Sequence, residues 1–344
     1  MNLYNADGWV NTDLLFNDPA PFIIAMGGRG IGKTFGVLRS CAQGEAGKFF
    51  YLRRTQTQID ACKLPELNPF KAINDAEGLS VVPAALGKFT TGFYHGELVD
   101  GKLKPSGPAI GIGAALSVFA NLRGVDGSDL DTLVFDEFLK ERHERPIQHE
   151  GEAFLNAYET LNRNRELQGR PPLKAILLGN SNDLAAPILH DLGVLRTIDK
   201  MTRRGLEHAT AAGGAISIYR FQDSPISALK KQSAVYQIKN KDFQEMALSN
   251  FFSEENFENV ESRPLAEFRP LCSLEEVTIF EHKNNGTFLV VPGIRSTERY
   301  RALPNDILAF RRRYWYLLEA VTDRRLFFST AEAKVVFEKI LLRR

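Results

Sequence analysis

The sequence predicts an α/β protein with a mostly parallel sheet, followed by a smaller C-terminal domain. Three observations carry this reading. Short apolar runs alternate with helical stretches over the first two hundred residues, and a glycine-rich loop directly follows the first of these runs. Past Arg196 the alternation gives way to mixed charge and small residues. Strands that are apolar on both faces and separated by helices belong to sheets covered on both sides.

The elements follow in order. PFIIAM (21–26) is the first strand-like run and KFFYLRR (48–54) the second. ALSVFA (115–120), DTLVFDEF (131–138) and LKAILLGNSN (173–182) complete a set of five, with helical periodicity over 34–43 and 151–163. Residues 1–205 are expected to form this domain. Residues 196–215 read as a connector, 206–255 as a polar linker module, and 256–344 as a second domain. In the last, VTIFEH and TFLVV flank Lys283–Gly286, and Asn285-Gly286 signals a hairpin because both positions tolerate positive φ. Ser329 and Glu332 fit a capping box opening a final helix, with Val336/Ile340 and Phe337/Leu341 at i,i+4 spacing.

Length and charge set outer bounds. A chain of 344 residues suggests two domains at roughly 150 residues each. Lys+Arg number 43 against 42 Asp+Glu, a net charge of +1, which argues against a histone-like binder. The last 44 residues depart from this balance, with ten basic and five acidic side chains. Cys41, Cys62 and Cys272 lack the spacing of a disulfide framework or zinc site, so a reducing cytoplasm is expected. No leader-like N-terminus and no run of 18 apolar residues is present, so no membrane partner is expected.

The chemistry concentrates in GGRGIGKT (27–34), which matches G-x-x-x-x-G-K-[ST] between a strand and a helix. In such a loop the backbone N–H groups of Gly27, Gly28, Arg29, Gly30, Ile31 and Gly32 converge on phosphate oxygens, and the glycines avoid Cβ clashes. Lys33 reaches the β- and γ-phosphates of ATP, Thr34 ligates Mg²⁺, and the helix N-terminus favours the anion. Downstream, LVFDEF (133–138) ends an apolar strand on two carboxylates. Asp136 is placed as the second Mg²⁺ contact and Glu137 as the general base that polarises the attacking water. A GTPase is disfavoured, because the chain carries Asn180-Ser181-Asn182-Asp183 in place of N-K-x-D.

Other polar residues have two readings each. In LNRNRE (161–166), Arg163 either caps the helix C-terminus or reaches a neighbouring subunit's γ-phosphate, and Arg165 projects nearer the apolar face if the helix continues. Asn180, after the fifth strand, either ends that strand or senses γ-phosphate beside Asp136 and Glu137. Arg53, Arg54 and Arg123 can each touch phosphate or solvent. Arg311-Arg312-Arg313 beside Tyr314-Trp315-Tyr316 suits either nucleic-acid contact or a helix with an aromatic core face. The six histidines, His143 among them, show no metal-binding spacing.

Taken together, GGRGIGKT, FFYLRR, VFDEF, RNRE about 26 residues later, and LLGN resemble the genome-packaging ATPases of phi29-like tailed phages, relatives of the large terminases. The resemblance covers about 22–180 and implies a P-loop ASCE (RecA-like) ATPase domain. It makes Arg163 the arginine finger acting in trans and Asn180 the coupling residue. It also implies a homo-oligomeric ring, a pentamer, that moves double-stranded DNA into a preformed capsid from the portal vertex in the host cytoplasm, in some relatives with a structural RNA. The C-terminal domain would be an RNase-H-like vestigial nuclease, because TFLVVPG (287–293), taken as its first strand, carries no acid and Asp306, Glu319 and Asp323 sit on no obvious strand. Alternatives are a terminase-type protein with an active endonuclease, a ring-forming assembly factor that binds nucleotide structurally, and a helicase of the same superfamily.

Overall fold

The computed structural model describes residues 1–122, 125–140, 144, 147, 149–180, 186–222, 224–226, 259–261 and 263–341. These fall into two compact units, 1–180 with 205–226 and 186–204 with 259–341.

The first unit opens with a short helix, α1 (Asp13–Asn17), and then β1 (Phe22–Gly27), α2 (Lys33–Ala42), β2 (Phe49–Arg53), α3 (Gln56–Ala61) and α4 (Lys71–Glu77). Three further strands, β3 (Val81–Ala85), β4 (Thr90–Val99) and β5 (Lys102–Ala115), precede β6 (Thr132–Asp136). After α5 (Glu150–Asn162) and β7 (Lys174–Asn180), the unit resumes with β8 (His208–Ala211) and β9 (Ile216–Phe221). Among the described residues the sheet runs β3-β4-β5-β2-β6-β7-β1-β9-β8. From β5 to β9 every pairing is parallel, and β3, β4 and β8 add antiparallel edges. Ile23 and Ile24 on β1 are fully buried on opposite faces, worth roughly 1.5–3 kcal/mol each. The apolar runs become the inner strands for that reason.

Two expectations fail in instructive ways. ALSVFA is not a strand: β5 ends at Ala115, and Leu116–Leu122 is a 3₁₀ turn that tucks Leu116 and Phe119 inward. The strand itself, KLKPSGPAIGIGAA, hides its character behind glycine, proline and lysine. Its glycines make room for rings, since a Cβ on Gly111 would lie 2.3 Å from Phe49. Likewise ISIYRF is no linker. It is β9, buried along its whole length beside β1, although Ser217 and Arg220 interrupt its apolar pattern. The sheet thus runs past the expected boundary at 205, while residues 227–255 of the expected linker lie outside the described residues.

The second unit contains α6 (Pro187–Asp191) and α7 (Leu195–Arg204), then β10 (Phe268–Leu274), β11 (Val277–His282), β12 (Phe288–Pro292) and β13 (Arg299–Tyr300). Helices α8 (Pro304–Arg313) and α9 (Trp315–Thr322), strand β14 (Leu326–Phe328) and helix α10 (Ala331–Leu341) complete it. Its sheet order is β13-β10-β11-β12-β14, with β10–β11–β12 an antiparallel meander and both edge strands parallel to their neighbours. The hairpin at Asn285-Gly286 forms as expected, with Gly286 at φ +68° and Asn285 Oδ1 accepting from the Thr287 N–H. Val336, Phe337, Ile340 and Leu341 all face the core. The cap of α10 is Thr330 rather than Ser329: the Ala333 N–H donates to Thr330 Oγ1 at 3.1 Å. TFLVV is the third strand, β12, and β10 comes first; neither carries an acid. Asp306 and Glu319 lie on helices and Asp323 caps one. Among the described residues, no three His, Cys, Asp or Glu side chains cluster to hold a metal, and no helix is long and apolar enough to cross a membrane.

Candidate active site

Parallel strands end on the same side of a sheet, and side chains at those carboxyl ends converge. Here the loop after β1, the start of α2, the end of β6 and the end of β7 meet around a cavity of about 350 Å³. Arg29, Gly30, Gly32, Lys33, Thr34, Phe35, Asp136, Glu137 and Asn180 line it, with Leu178 and Gly179.

Backbone geometry explains the glycines. Gly30 (φ +64°) and Gly32 (φ +92°) adopt left-handed conformations that let the chain enter α2 at Lys33. A Cβ on Gly27 would sit 2.8 Å from Phe221 and 2.9 Å from Ile31, so β1 must end on a residue without one. Ile31 itself is buried and anchors the loop to the core. The buried Lys33 ammonium lies across the loop, donating to Gly27 O (2.9 Å), Gly28 O (2.6 Å) and Asn180 Oδ1 (3.3 Å). Asn180 reaches it because Gly27 pairs with Asn180 in the β1–β7 register.

Thr34 Oγ1 donates to Asp136 Oδ1 at 2.8 Å. These two hard oxygens, part-buried at the mouth of the phosphate loop, form a donor set that fits Mg²⁺. The other Asp136 oxygen accepts from Tyr51 OH and Arg53 Nη1, both at 2.9 Å. Burial, reinforced by Asp136, holds the Tyr51 hydroxyl well above its ordinary pKa, so it acts as a donor. Arg53 Nη2 also holds Glu137 Oε2, so one guanidinium spans both carboxylates. Glu137 is half-exposed and sits at φ +51°, a left-handed conformation costing a non-glycine residue about 1–2 kcal/mol. The site meets that strain to turn this carboxylate toward the cavity.

Arg53 and Tyr51 are the residues that motif reading understates. Their signal was present: positions 51 and 53 lie two apart on one strand and therefore share a face, beside the acidic end of β6. Arg54 points the other way and is fully buried, donating to Glu150 Oε1 (2.6 Å) and Glu144 Oε2 (2.5 Å). It is a structural ion pair joining β2 to α5.

Arg163 does not join the cavity. It ends α5 at φ +45°, partly exposed, with Nη1 3.5 Å from Asp126. Arg165, in contrast, is buried after the helix ends, its Nε donating to Pro171 O (3.1 Å) and its Nη1 to Leu130 O. Leu130 precedes β6 and Asp136 closes it, so Arg165 is held at the opposite end of the strand from the cavity, six residues away and about 20 Å along an extended chain, and Arg163 lies two residues before it in sequence. Of the pair, Arg163 alone presents its side chain to solvent. Arg123, Ser181 and His143 lie outside the described residues.

A profile of the podovirus DNA encapsidation protein (Gp16) family matches residues 3–269. No curated protein sequence matches the chain. Two solved structures share its fold over 99% of both chains: "The bacteriophage Phi-29 viral genome packaging motor assembly", at 18% identity and TM-score 0.65, and "The Phi-28 gp11 DNA packaging Motor", at 17% and 0.63.

Proposed function

Because the chain belongs to the podovirus DNA encapsidation protein (Gp16) family, we propose that its cavity hydrolyses ATP to drive double-stranded viral DNA into a preformed capsid. The observation that carries this reading is the convergence of Lys33, Thr34, Asp136, Glu137 and Asn180 on one cavity. Backbone N–H groups at 27–32 and the Lys33 ammonium bind the triphosphate, while Thr34 and Asp136 hold Mg²⁺. Bound there, the ion would supply charge neutralisation to the triphosphate. Glu137 takes a proton from the attacking water. Glu137 is engaged by Arg53, which weakens it as a base; productive chemistry requires its carboxylate to turn from Arg53 to the water.

Arg163 acts in trans. It is too far from its own Asp136 to assist, yet it presents a partly exposed guanidinium, as a finger entering a neighbour's site requires. This implies a closed ring with head-to-tail interfaces, a pentamer in this reading. The ring sits on the portal of the capsid in the host cytoplasm, with a structural RNA as a further partner in systems that use one. The C-terminal unit is an RNase-H-like remnant that binds without cutting, and its basic final segment faces nucleic acid or an acidic portal surface.

The test is a packaging reaction with purified procapsids, duplex DNA and ATP, read as DNase-protected DNA. Wild type protects DNA and Glu137→Gln does not, although both bind nucleotide. Protection by Glu137→Gln at the wild-type level contradicts the assignment.

A further inference from the structure

A triphosphate seated in the cavity has two ends. Asp136, Glu137 and Asn180 mark the γ-phosphate end, so the nucleoside leaves on the side of Gly32 and Phe35. Phe35 lines that side and is 38% exposed. Gly32 is flanked by a second aromatic from far upstream. A Cβ on Gly32 would lie 3.2 Å from Trp9 Cε3, so the indole rests against the last residue of the phosphate loop.

Trp9 is 43% exposed, but its backbone is fixed. Its N–H donates to Asn5 Oδ1 at 2.9 Å, and its carbonyl accepts from the Asn5 N–H at 2.8 Å. The next residue binds the loop directly, Val10 N–H to Ile31 O at 3.0 Å. On the other side Gly8, at φ +84°, packs on Pro225, and its carbonyl accepts from Ser224 Oγ at 3.0 Å. Trp9 and Phe35 thus leave two aromatic rings partly open to water beside the phosphate loop, with Trp9 against Gly32 and Phe35 lining the cavity.

We propose that Trp9, together with Phe35, is the platform on which the nucleotide's base stacks. This rests on the ATP reading above and adds the residues that hold the other half of the substrate. Base–aromatic stacking tolerates any base and favours the larger purine surface. Losing the indole should therefore weaken ATP roughly tenfold. Because Trp9 touches no reacting atom, the loss falls on KM and leaves kcat nearly intact.

The chain has two tryptophans, Trp9 and Trp315. In Trp315→Phe, Trp9 is the sole indole reporter. MgATP should quench its fluorescence. Inorganic triphosphate should compete with ATP for the phosphate loop yet leave the emission unchanged. In steady-state hydrolysis, Trp9→Ala raises KM for ATP roughly tenfold, Trp9→Phe stays within about threefold of wild type, and the preference for ATP over CTP shrinks in Trp9→Ala. Equal quenching by triphosphate, or an unchanged KM in Trp9→Ala, overturns the platform while leaving the phosphate site standing. Failure of both ATP and triphosphate to bind removes the nucleotide site itself, and the platform with it.

Discussion

Replacing Arg54 by methionine tests whether the end of β2 is locked to α5 by charge. The Arg54 side chain is 0% exposed and that of Glu150 2%, with guanidinium–carboxylate contacts at 2.6 and 3.3 Å and a further one to Glu144 at 2.5 Å. Removing the cation strands a buried carboxylate, which costs about 3–5 kcal/mol. For a unit of this size that lowers Tm by about 6–20 °C. The loss depends on pH. Burial already raises Glu150 above its ordinary value of 4.5, so its ionisation opposes folding, and the opposition grows as pH rises through and beyond that value. Without Arg54 the carboxyl goes higher still. Thermal melts followed by circular dichroism should show a smaller deficit at pH 5 than at pH 8. Adding Glu150→Gln should recover part of it, because a neutral amide is cheaper to bury than an unpaired charge. A Tm within about 3 °C of wild type at both pH values, with no recovery in the double variant, refutes the argument.

Four further variants have defined outcomes. Glu137→Gln should bind MgATP by isothermal calorimetry but lose a factor of about 10²–10⁴ in turnover. Arg163→Ala should leave stability within about 1 kcal/mol, since its pair with Asp126 is exposed, and should cut ring ATPase by about 10³. Arg165→Met should do the reverse in melts, losing roughly 3 kcal/mol because Leu130 and Pro171 carbonyls lose a buried charged donor. Gly127→Ala places a Cβ 2.4 Å from Leu161 O, a backbone atom that cannot step aside; urea melts should show a loss of about 1–3 kcal/mol.

The inner sheet and most of the site were legible because their signals are local. PFIIAM and DTLVFDEF are apolar on both faces, and the phosphate loop is written in glycines whose positive φ or close contacts the structure requires at Gly27, Gly30 and Gly32. The strands flanking that core, β5 and β9, were not, because they owe their place to partners distant in sequence. Strand β5 is poor in apolar residues and pairs with β2 through glycines, and β9 is short and polar-interrupted yet closes the free side of β1. The chain's near-zero net charge also misleads as an average: its basic excess sits in the last 44 residues. At the site, the motifs named Lys33, Thr34, Asp136 and Glu137 and left Arg53 between phosphate and solvent; that Arg53 holds both carboxylates, with Tyr51 beside it, emerges once β2 lies beside β6. Arg165 followed the apolar face as its spacing suggested, but through a 3₁₀ turn after α5 had ended.

The most direct test of the account is subunit mixing. Arg163→Ala subunits keep Glu137, and Glu137→Gln subunits keep Arg163, so neither alone forms a complete site. If the arginine crosses a head-to-tail interface, an equal mixture should regain about a quarter of wild-type DNA-stimulated turnover, the fraction of interfaces with both groups intact. A mixture no more active than its two parents contradicts a shared site.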